Sequence, residues 1–320
     1  MDKKIKWGVL GYARIAKNEV IPAIVKAANA EFYAIASRDQ EKLKQCQKDF
    51  DCPKAYNSYD ELLEDPEVDA VYIPLPNGFH KEWTIKAARK GKHVLCEKPI
   101  GLNTGECLEM VKACEQNNVK LMEAFMYRYT DRTKKVKELL DSGVIGEVKY
   151  INSSFRFYLE NKKDVRMDPA IGGGALYDVG CYPLNFVGMV TGSSPVSMAA
   201  ECVKENGVDV ILSAVLNYES GIIATINCGF NAFGRLFTEI IGTKGVIEVP
   251  DTFFGNAGTI TVTTEEGKKE IQVQESDRYR LEIEDFSDAV IKDREPFFSL
   301  DETVRNMQLI DKLLEMTAQK

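Results

Sequence analysis

Lys98 is the side chain in this sequence whose surroundings most suggest chemistry. It lies in His93-Val94-Leu95-Cys96-Glu97-Lys98-Pro99, an apolar run that ends in a carboxylate, an amine and a proline. A buried parallel strand reads this way when it delivers polar side chains at its carboxyl end, where open α/β sheets place their ligands. Glu97-Lys98-Pro99 carries little information alone, so its meaning depends on the other segments. One of them opens the chain. Ile5-Lys6-Trp7-Gly8-Val9-Leu10 reads as a strand and runs straight into Gly11-Tyr12-Ala13-Arg14-Ile15-Ala16. Strand, glycine turn and helix in that order suit a dinucleotide, with the pyrophosphate at the free N–H groups of the helix start. The pattern is degraded, because Ala13 and Ala16 stand where G-x-G-x-x-G has its second and third glycines. Ala16 still allows close helix–strand packing, whereas Ala13 narrows the room for phosphates. Gly11, Tyr12, Ala13, Arg14 and Ile15 are the cofactor candidates here.

The end of the second strand, Phe32 to Ser37, bears on which dinucleotide is bound. An NAD site usually carries Asp or Glu about 20 residues beyond the glycines, but Ser37-Arg38 stands here. A hydroxyl and a guanidinium suit a ribose 2′-phosphate, which Arg grips bidentately. NADP is therefore expected over NAD, with NAD possible. A further strand, Asp69 to Ile73, ends in Pro74-Leu75-Pro76-Asn77-Gly78-Phe79-His80. Pro, Asn and Gly make this loop rigid and turn-forming. Pro74, Leu75 and Asn77 are cofactor candidates, and His80, leading into a helix, suits a positioning contact better than acid–base duty.

These residues need a scaffold, and the spacing supplies one. A helical segment follows Gly11 towards Ala28, with Pro22 breaking or kinking it. Helices are expected over Asp39–Phe50, after the capping box Ser58-Tyr59-Asp60-Glu61, over Trp83–Lys90 closed by Gly91, and over Asn103–Asn118, with a short strand at Lys120–Glu123. Such alternation is the doubly wound signature of a parallel sheet. The pattern then changes. Tyr129–Asp141 reads as a helix, Val148–Phe157 as a long strand with one buried face, and Gly172–Thr191 as a glycine-led helix. At least six strands follow between Val196 and Val273, then helices over Leu281–Lys292 and Thr303–Ala318. Ser299 and Glu302 cap the last helix, and Val304, Met307, Ile310 and Leu314 give it a core stripe. The expected fold is α/β: a doubly wound Rossmann-type domain over residues 1–123, then an α+β domain with a large, mostly antiparallel open sheet over 124–320.

Composition narrows the partners. A net charge of −8 disfavours nucleic acid and anionic membranes. Apolar runs are strand-sized, so no membrane span is expected. Eight cysteines without a C-x-x-C pair read as buried thiols in a cytoplasmic protein. With only His80 and His93 available, no zinc-type ligand set can be assembled by spacing, and no metal is expected.

Five motifs in order resemble the Gfo/Idh/MocA oxidoreductases, the superfamily of glucose–fructose oxidoreductase and inositol dehydrogenase. They are Gly11 to Ala16, Pro74-Leu75-Pro76-Asn77, Glu97-Lys98-Pro99, Glu123-Ala124-Phe125-Met126-Tyr127-Arg128, and Gly172-Gly173-Gly174-Ala175-Leu176-Tyr177-Asp178-Val179-Gly180-Cys181-Tyr182. The resemblance spans essentially the whole chain. It implies a Rossmann domain followed by an open-sheet domain whose outer face serves as an oligomer interface, hence a homodimer or homotetramer. Many members carry His where Tyr182 stands. Tyrosine resembles the branch of glucose–fructose oxidoreductase, trans-dihydrodiol dehydrogenase and aldose (xylose) dehydrogenases, and Ser37-Arg38 fits its NADP users. The resemblance also implies that Glu97 binds the nicotinamide ribose.

Asp178 and Tyr182 are four apart on one expected helix and share a face. The expected chemistry is hydride transfer between nicotinamide and a CH–OH carbon of a sugar or polyol, with the hydroxyl proton passing to Tyr182. A free tyrosine, with a pKa of ~10, is a poor base at neutral pH. A cationic Lys98 nearby would favour phenolate and stabilise alkoxide charge, while Asp178 would orient the sugar or the lysine. Tyr127, Arg128, Arg156, Tyr158 and Arg166 are weaker substrate candidates. A trans-dihydrodiol dehydrogenase, a keto-sugar reductase and a non-catalytic NADP-binding regulator are the alternatives.

Overall fold

The computed structural model describes residues 3–318. The chain forms two compact units, one running to Met126 and taking in Asp277–Val304, the other comprising Tyr127–Ser276 and the residues from Arg305 on.

The first unit is built on a six-stranded sheet. Its strands are β1 (Ile5–Leu10), β2 (Ala30–Ala36), β3 (Lys54–Tyr56), β4 (Ala70–Ile73), β5 (His93–Glu97) and β6 (Leu121–Ala124), in the order β3-β2-β1-β4-β5-β6. Every pairing is parallel. This is the doubly wound order whose reversal point lies between β1 and β4. The central strands are near-continuous apolar runs because helices cover both faces. The helices are α1 (Ile21–Lys26), α2 (Gln40–Asp49), α3 (Tyr59–Glu64), α4 (His80–Arg89) and α5 (Thr104–Gln116). Pro22 does not end the first helical segment, which runs on from Arg14 to Lys26; the π-helical turn Ala16–Val20 directly precedes α1, and such a turn is one of the irregularities that accompany kinks. Asp39 caps α2 by accepting from Glu41 and Lys42 N–H. Ser58 caps α3, although Glu61 reaches back to the N–H of Asn57 instead of Ser58. α4 starts at His80, three residues earlier than the apolar spacing indicates, because Asn77–Phe79 forms a 3-10 turn that leads into it.

The second unit holds α6 (Asp131–Asp141), the long strand β7 (Val148–Tyr158) and α7 (Cys181–Thr191). Then come β8 (Ser197–Glu205), β9 (Val208–Asn217), β10 (Ile223–Gly229), β11 (Asn231–Gly242), β12 (Gly245–Pro250), β13 (Gly258–Thr264) and β14 (Gly267–Val273). The sheet order is β14-β13-β12-β11-β7-β10-β9-β8, antiparallel throughout except for the β7–β10 pair.

Domain 124–320 is corrected in one respect. After β14 the chain returns, and α8 (Arg278–Lys292) packs in the first unit, where Phe286 meets Trp7 at 5.5 Å and Ser287 Oγ accepts the indole N–H at 3.1 Å. Phe298 meets Phe125 there at 5.4 Å. The final helix, α9 (Leu300–Ala318), buries Met307 and Ile310 as expected, but Leu309 and Leu313 complete its core face, while Val304 and Leu314 are only half-buried. Among the described residues no helix is long and apolar enough to cross a membrane.

Candidate active site

In the first unit the strand ends converge on Gly11. Its N–H bonds to Ala36 O at 2.8 Å, which sets the glycine beside Ser37. Gly11 has φ +109°, and a Cβ there would lie 3.3 Å from Tyr59 Oη and 3.4 Å from Leu75 Cδ2. A side chain would be strained and would fill the space over the turn. The helical segment opens at Arg14, with Lys17 N–H bonded to Ala13 O at 2.9 Å, and the N–H groups of its first turn suit an anion. Ala13 and Ile15 are half-buried there and Arg14 is exposed. Ser37 is buried, with its hydroxyl accepting from Asp39 N–H at 3.1 Å. Arg38 is exposed, its guanidinium 6.0 Å from the centre of the Tyr59 ring. These residues fit a phosphorylated dinucleotide. Tyr12 is the exception among the candidates: it is buried and donates its phenol proton to Asp49 Oδ2 at 2.7 Å, bracing α2. Lys17 and Tyr12 together hold the Asp49 carboxyl down to about 2.

Lys98 follows β5, whose neighbours are β4 and β6. Its peptide bond to Pro99 is cis. The turn is braced by two acids, Glu97 and Glu123, and by one hydroxyl. Tyr72, on β4, donates to Glu97 Oε1, and Glu97 Oε2 accepts from Lys98 N–H at 3.3 Å. On β6, Glu123 is 2 % exposed and its Oε1 accepts the Ile100 N–H at 3.0 Å. Burial pushes the Glu123 carboxyl up to about 8, so the acid is largely neutral at pH 7. Glu282 on α8 is buried as deeply, and burial, with the negative Glu97 near it, raises its pKa well above the usual carboxylate range. Pro74 is buried and Leu75 and Asn77 are half-buried in the loop after β4. His80 is fully buried, with ring nitrogens 2.9 Å from Pro99 O and 2.7 Å from Leu75 O. It belongs to the scaffold under the loop and not to the surface a cofactor would touch.

In the second unit, Asp178 lies in a π-helical turn, Leu176–Gly180, that runs directly into α7 and Tyr182. Such turns concentrate at functional positions because the extra residue re-aims side chains. The turn is anchored by Asp209 of β9, 5 % exposed, whose Oδ2 accepts the Leu176 N–H at 2.7 Å. Burial pushes that carboxyl up to about 7. Gly174, at φ +124°, makes the approach possible: a Cβ there would meet Asp209 Oδ1 at 2.3 Å. Tyr182 is 4 % exposed in an aromatic cluster with Phe155 at 5.3 Å, Phe253 at 5.4 Å and Tyr127 at 5.9 Å. Arg166 donates Nε–H to Asp178 Oδ2 at 2.6 Å and Nη1–H to Asp164 Oδ1 at 3.1 Å.

The substrate candidates divide. Arg166 is tied to Asp178. Tyr127 and Arg128 are buried and both donate to Asn185 Oδ1 on α7, at 2.6 and 3.2 Å, so they brace the helix that carries Tyr182. Arg156 and Tyr158 are corrected. Strand side chains alternate, and Phe155, one residue away, is the one that meets Tyr182. Arg156 therefore projects from the opposite sheet face, where it donates to Asn227 Oδ1 at 2.9 Å, and Tyr158 shares that face, 61 % exposed. Asn185, Asp209 and Glu282 were not singled out by the sequence, and Glu123 entered only as the first residue of a motif, with no role assigned. The only signal in it was a polar residue inside each apolar run.

Comparison with known proteins follows the same lines. Residues 5–125 match the model described as "Oxidoreductase family, NAD-binding Rossmann fold", and residues 133–248 match the GFO/IDH/MocA C-terminal domain. The D-xylose 1-dehydrogenase (NADP(+)) 2 of Haloferax volcanii is 37% identical over 314 residues, 97% of this chain and 96% of the relative. The trans-1,2-dihydrobenzene-1,2-diol dehydrogenase of Xenopus laevis is 34% identical over 269 residues, 83% and 81% of the two chains. The crystal structure of KijD10, a 3-ketoreductase from Actinomadura kijaniata in complex with NADP and TDP-benzene, superposes with a TM-score of 0.91 at 28% identity, covering 98% of each chain.

Proposed function

This chain belongs to the Gfo/Idh/MocA oxidoreductase family, and from that premise we propose that it is an NADP-preferring dehydrogenase or reductase acting on a CH–OH carbon of a sugar or related polyol. The observation that carries the reading is the set of strand ends in the first unit. Gly11 after β1, Ser37-Arg38 after β2, Pro74–Asn77 after β4 and Glu97-Lys98 after β5 all lie at the carboxyl edge of one parallel sheet. A bound nicotinamide supplies the hydride acceptor or donor. Gly11, Ala13, Arg14 and Ile15 hold the pyrophosphate, and Ser37 and Arg38 hold the 2′-phosphate. Pro74, Leu75 and Asn77 shape the wall, and Glu97 receives a ribose hydroxyl.

Tyr182 takes the proton from the reacting hydroxyl on oxidation and returns it on reduction. The Lys98 ammonium donates a hydrogen bond to the same oxygen and stabilises alkoxide charge. Asp178, held by Arg166, orients the substrate hydroxyls. A xylose dehydrogenase and a dihydrodiol dehydrogenase among the relatives favour a small polyol or diol.

The outer face of the large sheet supports self-association. Val203, Ile211, Val215, Ile223 and Tyr150 are exposed on it, beside a cavity of about 700 Å³ that Arg156 and Arg235 line. An apolar sheet face of this kind suits a homodimer or homotetramer. Eight free thiols suit a reducing, cytoplasmic compartment.

The test is absorbance of NADPH or NADH with purified protein, either oxidised cofactor, and a panel of aldoses, polyols and dihydrodiols. Reduction of NADP with a polyol, faster than that of NAD, is the expected result. Silence with all substrates and no NADPH binding by fluorescence titration overturns the reading.

A further inference from the structure

The loop after β4 and the turn after β5 are separate stretches of backbone, and one side chain joins them. His80, the first residue of α4, places Nε2 2.7 Å from Leu75 O and Nδ1 2.9 Å from Pro99 O. Leu75 borders the space over Gly11, and Pro99 directly follows Lys98. The ring thus bridges the wall of the proposed cofactor site and the backbone that carries the proposed catalytic amine. Glu123 holds the same turn from the side of β6, through Ile100 N–H. The two atoms that His80 meets at these distances are carbonyl oxygens, so each contact needs a proton on the nitrogen that makes it, and a neutral imidazole has one to give. Burial keeps the ring pKa below the ordinary imidazole value. One N–H therefore serves two carbonyls, and the tautomer decides which segment is held.

We propose that His80 is a positioning residue that couples the Pro74–Asn77 loop to the Lys98 turn, its Nε2 contact governing NADP binding and its Nδ1 contact governing the placement of Lys98 for turnover. The proposal rests on the cofactor and lysine roles argued above. It differs from a packing role in one respect: the two halves of the ring have separable consequences.

Two amides separate them. The amide nitrogen of asparagine reaches the place of Nδ1, and that of glutamine the place of Nε2, so each keeps one contact and drops the other. His80→Asn is expected to weaken NADPH binding, read by fluorescence titration, about tenfold more than it lowers kcat, and His80→Gln to show the reverse. Parallel changes in both quantities for both variants overturn the proposal. The wild-type protein supplies a measurement that no folding defect can cloud. The chain has only two histidines, so 15N-histidine labelling gives two imidazole systems. NADPH is expected to shift the His80 Nδ1 and Nε2 resonances in opposite directions as the tautomer population changes. Unmoved His80 resonances at saturating NADPH overturn the proposal while leaving the cofactor reading intact; absence of NADPH binding overturns both.

Discussion

Arg166 and Asp178 form a side-on contact, Nε to Oδ2 at 2.6 Å, with Asp164 on the far side of the guanidinium. The pair joins the segment before the triple glycine to the π-helical turn after it. Gly173 permits that closure, since a Cβ there would lie 2.6 Å from Arg166 O. Asp178 is therefore oriented from outside its own helix, and the four-residue spacing to Tyr182 is only part of what aims it.

Arg166→Ala is expected to lower kcat/KM by about 10- to 100-fold, the effect of misorienting Asp178 in the substrate-orienting role proposed for it. Arg166→Lys should fall in between, because lysine keeps the charge and loses the planar fork. Steady-state kinetics on the polyol found in the panel are the measurement, and wild-type kinetics in both variants would remove Asp178 from the mechanism.

Lys98→Met and Tyr182→Phe should each cost ~10²–10⁴ in turnover, the usual worth of a positioned acid–base group. Phenylalanine preserves the ring packing against Phe155 and Phe253, so Tyr182→Phe isolates the hydroxyl. NADPH titration should give bound cofactor in both variants. Undiminished kcat in either one would strip that residue of its role.

Glu123 makes stability depend on pH in a direction opposite to that of a salt-bridged carboxylate. Its pKa is about 8 in the folded chain against an ordinary 4.5, so the native state binds more protons than the unfolded state between those values. Stability from this group is full below about 4.5 and is lost as pH rises towards 8, with a limiting slope of about 1.4 kcal/mol per pH unit. Glu123→Gln, neutral at every pH, should flatten the fall in thermal midpoint between pH 5 and 8 while leaving an acceptor for Ile100 N–H. Parallel midpoint curves for the two proteins would show that the carboxyl is ionised when folded.

Much of this molecule is written locally. Periodicity, caps and glycine turns mark five of the six parallel strands; the three-residue edge strand β3, Lys54–Tyr56, is too short to show a period. They also put Gly11, Ser37, Arg38 and Lys98 at strand ends, because those features depend on residues within a turn or two of one another. What no local pattern contains is a partner far along the chain. The sequence shows Glu123 as one acid in a short strand, whereas folding buries it and sets it against Ile100 N–H. Alternation identifies β7 but not which of its faces meets Tyr182, so Arg156 and Tyr158 are as eligible as Phe155 until the sheet is assembled. Tyr127 and Arg128 read as substrate candidates until Asn185, 58 and 57 positions away, accepts their protons. Trp7 likewise finds Ser287 only when the last third of the chain returns to the first unit, 280 positions on. Sequence fixes elements through short-range sterics and hydrogen bonding. Which buried polar groups pair is decided by tertiary packing, because the cost of leaving them unpaired falls due only when water is excluded.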